Sequence, residues 1–148
     1  MTGLSDIYVI SAKRDTETIF SFLNHFLPER EETADDYCIP QYSDNPKQVF
    51  TKDFEIISFC VSNKQIEQSI YWRAINNKIP EHAHIFFLND GNIIFGLSTD
   101  SSNHEHANNL LKEVKLFLDE RYGYITFETA PNACNYDEFM AQINDTNP

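Results

Sequence analysis

Glycine is scarce in this chain. Four glycines are scattered through 148 residues, and they supply none of the glycine-rich turns that phosphate-binding loops require. Six prolines complete a composition that is not low-complexity. There are three cysteines, Cys38, Cys60 and Cys134, an odd number with no CxxC spacing. That argues against a disulfide framework or a zinc ribbon. Cys60 lies among apolar neighbours and reads as a small core residue. Basic residues are outnumbered, 11 against 23 acidic ones, for a net charge of -12. A field of that sign repels phosphate backbones and anionic lipid surfaces, so no nucleic acid and no membrane is expected as a partner. It favours a basic protein, although an acidic surface also serves ordinary solubility.

Long apolar runs are missing too. None approaches the roughly 20 residues of a membrane span. The first residues, MTGLSDIYVISAK, lack a basic start followed by an apolar core, so they do not read as a signal peptide. The expectation is a soluble protein in a reducing cytoplasm. No GxSxG occurs, no cysteine sits in a recognisable catalytic context, and carboxylate pairs in so acidic a chain carry no information. No catalytic residue is assigned and no cofactor is expected.

Apolar residues make up 41% of the chain, including 12 Phe and 7 Tyr. A chain of this length buries about 70% of the surface it exposes when unfolded, enough for one domain, residues 1–148, without metal or disulfide. Residues 68–98, QSIYWRAINNKIPEHAHIFFLNDGNIIFGLS, organise it. They read as three consecutive strands, the last two closed into a hairpin by Asp90-Gly91. Alternation in the first strand puts Ile70, Trp72 and Ala74 on one face and Tyr71, Arg73 and Ile75 on the other. HAHIFFL and NIIFGL are almost continuously apolar, so both faces should be covered. Gly96 within the third strand signals close approach of another backbone or a bulge.

Before this ribbon, IYVISA (7–12) predicts an internal strand. A helix follows, capped by Asp15 or Thr16, with a stripe of Ile19, Leu23 and Phe26 and its end marked by Pro28. EREETADD (29–36) has no apolar stripe and reads as a solvated connection or an acidic lip. Tyr37–Tyr42 predicts a short strand that Pro40 confines to an edge or turn. Residues 51–62 fit a helix, with Thr51 as cap and Phe54, Ile57 and Val61 inward, though their aromatic and β-branched content also suits a strand.

After the ribbon, residues 103–121 predict a strong helix, with Ser102 and Glu105 at capping-box spacing and Gly123 ending it. A strand at 124–128 and a short helix capped by Asn135 and Glu138 complete the order, with fraying expected over 144–148. The expected fold is α+β, a single domain of mainly antiparallel sheet around a central hairpin, flanked by three to four helices.

Two groups could carry function. His82 and His84 share a strand face, but two ligands fall short of the three or four that zinc needs, so no metal is assigned. Tyr71, Arg73 and His84 lie on one sheet face and mark an alternative ligand site. Arg73 among apolar residues also suits a structural ion pair. A self-associating subunit, joined through a strand edge, is a third reading.

SIYWRAI, then DGNIIFGLS, then LLKEVKLFLDERYGYITFE followed shortly by a proline resembles small bacterial proteins of the immunity type over residues 68–140. Such proteins are encoded beside secreted toxins and protect the producing cell. The resemblance implies a small acidic cytoplasmic protein without catalysis, which masks a toxin or effector, often a basic nuclease, through an exposed surface. Glu29, Glu31, Glu32, Asp35 and Asp36 are then the expected partner-binding residues, because opposite charge speeds and steers association.

Overall fold

The computed structural model describes residues 3–77, 79–102 and 104–146. Among them are four α-helices and eight strands, in an α+β arrangement built mainly on one antiparallel sheet. The strands are β1 (Leu4–Ser11), β2 (Arg30–Glu32), β3 (Tyr37–Ile39), β4 (Gln48–Phe50), β5 (Gln68–Ala74), β6 (His82–Phe87), β7 (Ile93–Asp100) and β8 (Gly123–Phe127). The helices are α1 (Thr16–Phe26), α2 (Asp53–Ser62), α3 (His104–Leu118) and α4 (Tyr136–Thr146). The large sheet runs β2-β5-β6-β7-β1-β8, and β3 and β4 pair separately.

The ribbon forms as its sequence requires. Gly91 takes φ +89° in the β6–β7 turn, and Asp90 Oδ1 accepts from the backbone of Asn92. Strand β1 lies between β7 and β8, which explains why it is apolar on both faces. On one face Ile7, Val9, Ile70, Trp72, Ile85 and Phe95 pack with residues from α1, α2 and α3. On the other, Tyr8, Ile10, Phe86, Ile94 and Tyr124 pack with Phe139 of α4. Gly96 is needed for a different reason than expected: its strands pair in unbroken register, and side chains rather than another backbone crowd it, with a Cβ there 2.9 Å from the Tyr8 ring and 3.1 Å from His84 Nδ1.

Several expectations need correction. Residues 29–36 are not merely a connection, because Arg30–Glu32 pair with β5 in the register Arg30↔Ala74, Glu31↔Arg73, Glu32↔Trp72. Three polar residues carry no apolar signature, and backbone pairing alone makes them a strand. Residues 51–62 do contain a helix, but Phe54 is 56% exposed and the buried stripe is Ile56, Ile57 and Cys60. Its cap position is Lys52 rather than Thr51, and the Glu55 carboxylate accepts from both their backbone N–H groups.

Helix α3 stops at Leu118, before Gly123. Asp119 adopts φ +54°, with Asp119 N–H donating to the Leu116 carbonyl and Glu120 N–H to that of Lys115. That is a Schellman closure, built here on aspartate instead of glycine. Gly123 is needed inside β8 instead, where a Cβ would lie 2.5 Å from the Tyr8 carbonyl oxygen. The fraying expected at the C-terminus falls partly on residues 147 and 148, outside the described residues, whereas 144–146 lie within α4.

Candidate functional site

Strand β2 is the outermost strand on its side of the sheet. Short, highly charged edge strands are common, because burial does not oppose their charge. Glu29, Glu31, Asp35 and Asp36 are exposed and Glu32 is half-buried. Three of the five carboxylates are engaged internally, Asp36 only by a long contact from the Cys38 thiol at 4.0 Å. Glu31 pairs with Arg73 directly across the strands at 2.5 Å, and Glu32 Oε1 accepts from the Tyr37 hydroxyl at 2.6 Å. The expected ion pair of Arg73 is therefore present, but it is exposed, with the side chains 54% and 50% accessible. An exposed pair contributes about 0–1 kcal/mol.

Tyr71 and His84 are brought together as cross-strand partners, with ring centroids 5.4 Å apart, but Arg73 does not join them. Arg73 faces solvent beside Glu31, and His84 is buried beneath the Tyr8, Tyr71 and Phe86 rings, so the open sheet face expected there is filled. The Ser98 hydroxyl donates to Asp6 Oδ1 at 2.5 Å, so its 2.9 Å contact with His84 Nε2 takes the hydrogen from the imidazole. Asp6 Oδ2 accepts from the Thr129 backbone. Burial first, and nearby His82 second, hold the imidazole neutral by lowering its pKa to about 4. Burial also pushes the Asp6 carboxyl upward, against the hydrogen bonds from Ser98 and Thr129. Serine, histidine and aspartate are the residue types of a hydrolytic triad, but here serine stands between the other two. A nucleophile must instead lie at the end, against the base. His84 Nδ1 has no hydrogen-bond partner and Ser98 is 2% exposed, so the trio ties β1, β6 and β7 together and offers no reactive atom to solvent. His82 and His84 gain no third ligand: no group of three or more His, Cys, Asp or Glu able to hold a metal occurs among the described residues.

Only Tyr71 of that set reaches an open groove. The groove, about 520 Å³, lies between the β3–β4 hairpin, the start of β5 and the loop before α4. A smaller extension of about 270 Å³ continues to Ala34 and Asp36, at the end of the acidic run. The two share Gln41, Tyr42, Gln68, Ser69 and Tyr71. Asp36 and Glu67 are the charged residues lining them.

Two glutamines define this groove. Gln41 lies against the margin of β5 beyond the reach of β2. Its Nε2 donates to the Ser69 carbonyl at 2.9 Å, and its Oε1 accepts from the Ser69 N–H at 2.7 Å. Gln68 is 2% exposed, yet neither atom of its carboxamide has a hydrogen-bond partner. Leaving such a group unpaired costs about 1–3 kcal/mol. Tyr42, at φ +65° within the turn that Ser43 N–H closes onto the Pro40 carbonyl, is 83% exposed and lines the groove.

Sequence reasoning passed over all three. A signal for Gln68 was present: one step back along the Ile70–Trp72 alternation, it is a polar residue in an apolar register. Among the described residues no helix is long and apolar enough to cross a membrane. The chain matches no family model, no curated protein and no solved structure.

Proposed function

We propose that this chain is a non-enzymatic protein-binding module that neutralises a basic toxin or effector in the cytoplasm, through strand β2 and the acidic segment that follows it. One observation carries the reading: the densest run of carboxylates flanks the edge strand β2, with Glu31 on the strand and Glu29, Asp35 and Asp36 beside it, all four exposed. Such a stripe accelerates encounter with a basic surface and disfavours acidic partners. The exposure of Arg73 and the burial of His84 also support it, because the two are not turned towards one shared ligand. The toxin-neutralising part rests on the resemblance to immunity-type proteins.

The test uses tagged protein and the triple variant Glu29→Lys, Asp35→Lys, Asp36→Lys as baits in the native cell. Wild type should capture one stoichiometric basic protein at low salt. The variant should lose it, with association slowed by at least about tenfold. The captured protein should arrest growth when expressed alone, and co-expression with the wild-type chain should restore growth. Equal capture by the variant would overturn the assigned surface, and a harmless captured protein would overturn the toxin reading.

A further inference from the structure

Three features compete for a further role. The buried Asp6–Ser98–His84 chain is closed to solvent, and Glu81, half-buried near His82 and His106, belongs to no metal-holding group. The groove beside β5 is different, because it joins an open volume to a buried polar group that nothing satisfies.

We infer that this groove seats an extended basic segment of the protein partner, whose backbone hydrogen-bonds the Gln68 carboxamide. The inference rests on the protein-binding reading above and names the second contact that the partner makes. The Gln68 donor and acceptor are both unfilled but buried in the groove wall, so the side chain turns outward to meet a peptide unit, which offers one of each. The adjoining backbone of β5 is not the anchor, because Gln41 already fills the Ser69 N–H and C=O; the segment lies against side chains and does not extend the sheet.

Charge fixes the sign of the segment. The lining holds Asp36 and Glu67 and neither lysine nor arginine. Tyr42 and Tyr71 offer ring faces on which a lysine or arginine side chain is held by cation–π attraction. The groove also ends at Asp36, so a partner lying along the acidic strand continues into it without a break.

The probe is the peptide acetyl-Lys-Val-Lys-Val-Lys-Val-Lys-amide, with the glutamate-for-lysine peptide as control, followed by two-dimensional amide NMR on the full chain. The lysine peptide should shift the Gln68 side-chain amide and the Ser69 backbone amide saturably, and the glutamate peptide should not. Gln68→Met should weaken binding by about tenfold, the loss of a hydrogen-bonded amide. The free variant should melt no lower than wild type, because the removed group bonds nothing in the free chain. Tyr42→Asn, at an exposed site that tolerates asparagine's positive φ, should weaken binding without touching the core.

Shifts confined to residues 29–36, or undiminished affinity of Gln68→Met, would overturn the groove and leave the acidic-edge reading standing. Capture of the partner that survives Glu29→Lys with Asp35→Lys, which leaves Asp36 in the groove, but is lost in Gln68→Met would do the opposite. Absence of any saturable shift, or equal binding of the glutamate peptide, would overturn the basic-segment assignment.

Discussion

Arg14 donates to the carbonyl oxygen of Cys60 with two nitrogens at once, Nε at 3.0 Å and Nη2 at 2.9 Å. The guanidinium also reaches the carbonyls of Asn63, Ile66, Leu88 and Asn92, and its carbon lies 4.8 Å from the Phe87 ring centre. It is 4% exposed. The carbonyls of Cys60 and Asn63 belong to the end of α2, where intrahelical donors run out. Those of Leu88 and Asn92 flank the β6–β7 turn. One buried cation therefore joins the turn after β1, the end of a helix and the central hairpin.

Replacing Arg14 with methionine should cost about 3–5 kcal/mol, because five carbonyls lose a shared donor. Lysine should recover less than half of this, since a point ammonium lacks the planar fork of five N–H groups. Urea denaturation of the three proteins checks the order. A lysine variant as stable as wild type would refute the multidentate account.

Gly96→Ala should destabilise by about 1–3 kcal/mol through overpacking against Tyr8 and His84. Gly123→Ala should cost more, because its new methyl meets the Tyr8 carbonyl, which cannot rotate away as a side chain can. Thermal melts of both variants test the ranking, which a larger effect at Gly96 would reverse.

Stability should fall between pH 6.5 and about 4 as His84 is drawn toward protonation. The unfolded chain binds that proton near pH 6.5, whereas the fold resists it down to about 4, so stability rises with pH across this window. The contribution is up to about 3 kcal/mol. Asp6 acts in the opposite sense, since a carboxyl held above its ordinary value makes its ionisation costly as pH rises through the acid range. His84→Gln, measured by melting temperature against pH, should flatten the slope. An unchanged slope would assign the effect to other groups.

Asp90→Ala should loosen α4. One carboxylate oxygen accepts from Asn92 in the β6–β7 turn and the other from Tyr136 at the start of α4. The variant should lose about 1–2 kcal/mol, and amide exchange in 136–146 should speed up more than in the sheet. Uniform acceleration across the chain would show that Asp90 serves the hairpin alone.

Much of the fold was legible because its signals are local. Asp90-Gly91 marked the hairpin, Asp15 marked the start of α1, and the alternation around Trp72 separated the buried Ile70 and Trp72 from the exposed Arg73. The Asn135 and Glu138 pair likewise marked α4, with Asn135 Oδ1 accepting from Glu138 N–H at 2.9 Å. Strand β2 was hidden because its only reason to be extended is its pairing with β5, more than 40 residues away. The candidate site was less legible still. The carboxylates of 29–36 were visible as charge, but the engagement of Glu32 by Tyr37 and of Glu31 by Arg73 depends on how the chain returns. His84 looked accessible beside Tyr71 until the rings of Tyr8 and Phe86 closed over it. Arg14 gave no sign at all, because its partners are backbone carbonyls and backbone is the same in every sequence.

The two bonds between Gln41 and Ser69 also bear on how the protein behaves at high concentration. A bare sheet margin is a template on which another molecule's strand can grow, and a first docking event presents the next margin in turn. Here one carboxamide occupies that template over the residue left uncovered beyond β2. Solubility at this margin thus depends on a single side chain held by a turn, a thin safeguard for a chain rich in aromatics. Light scattering of concentrated Gln41→Ala should rise over hours while the wild type stays clear, and a clear variant would show that net charge alone keeps the molecules apart.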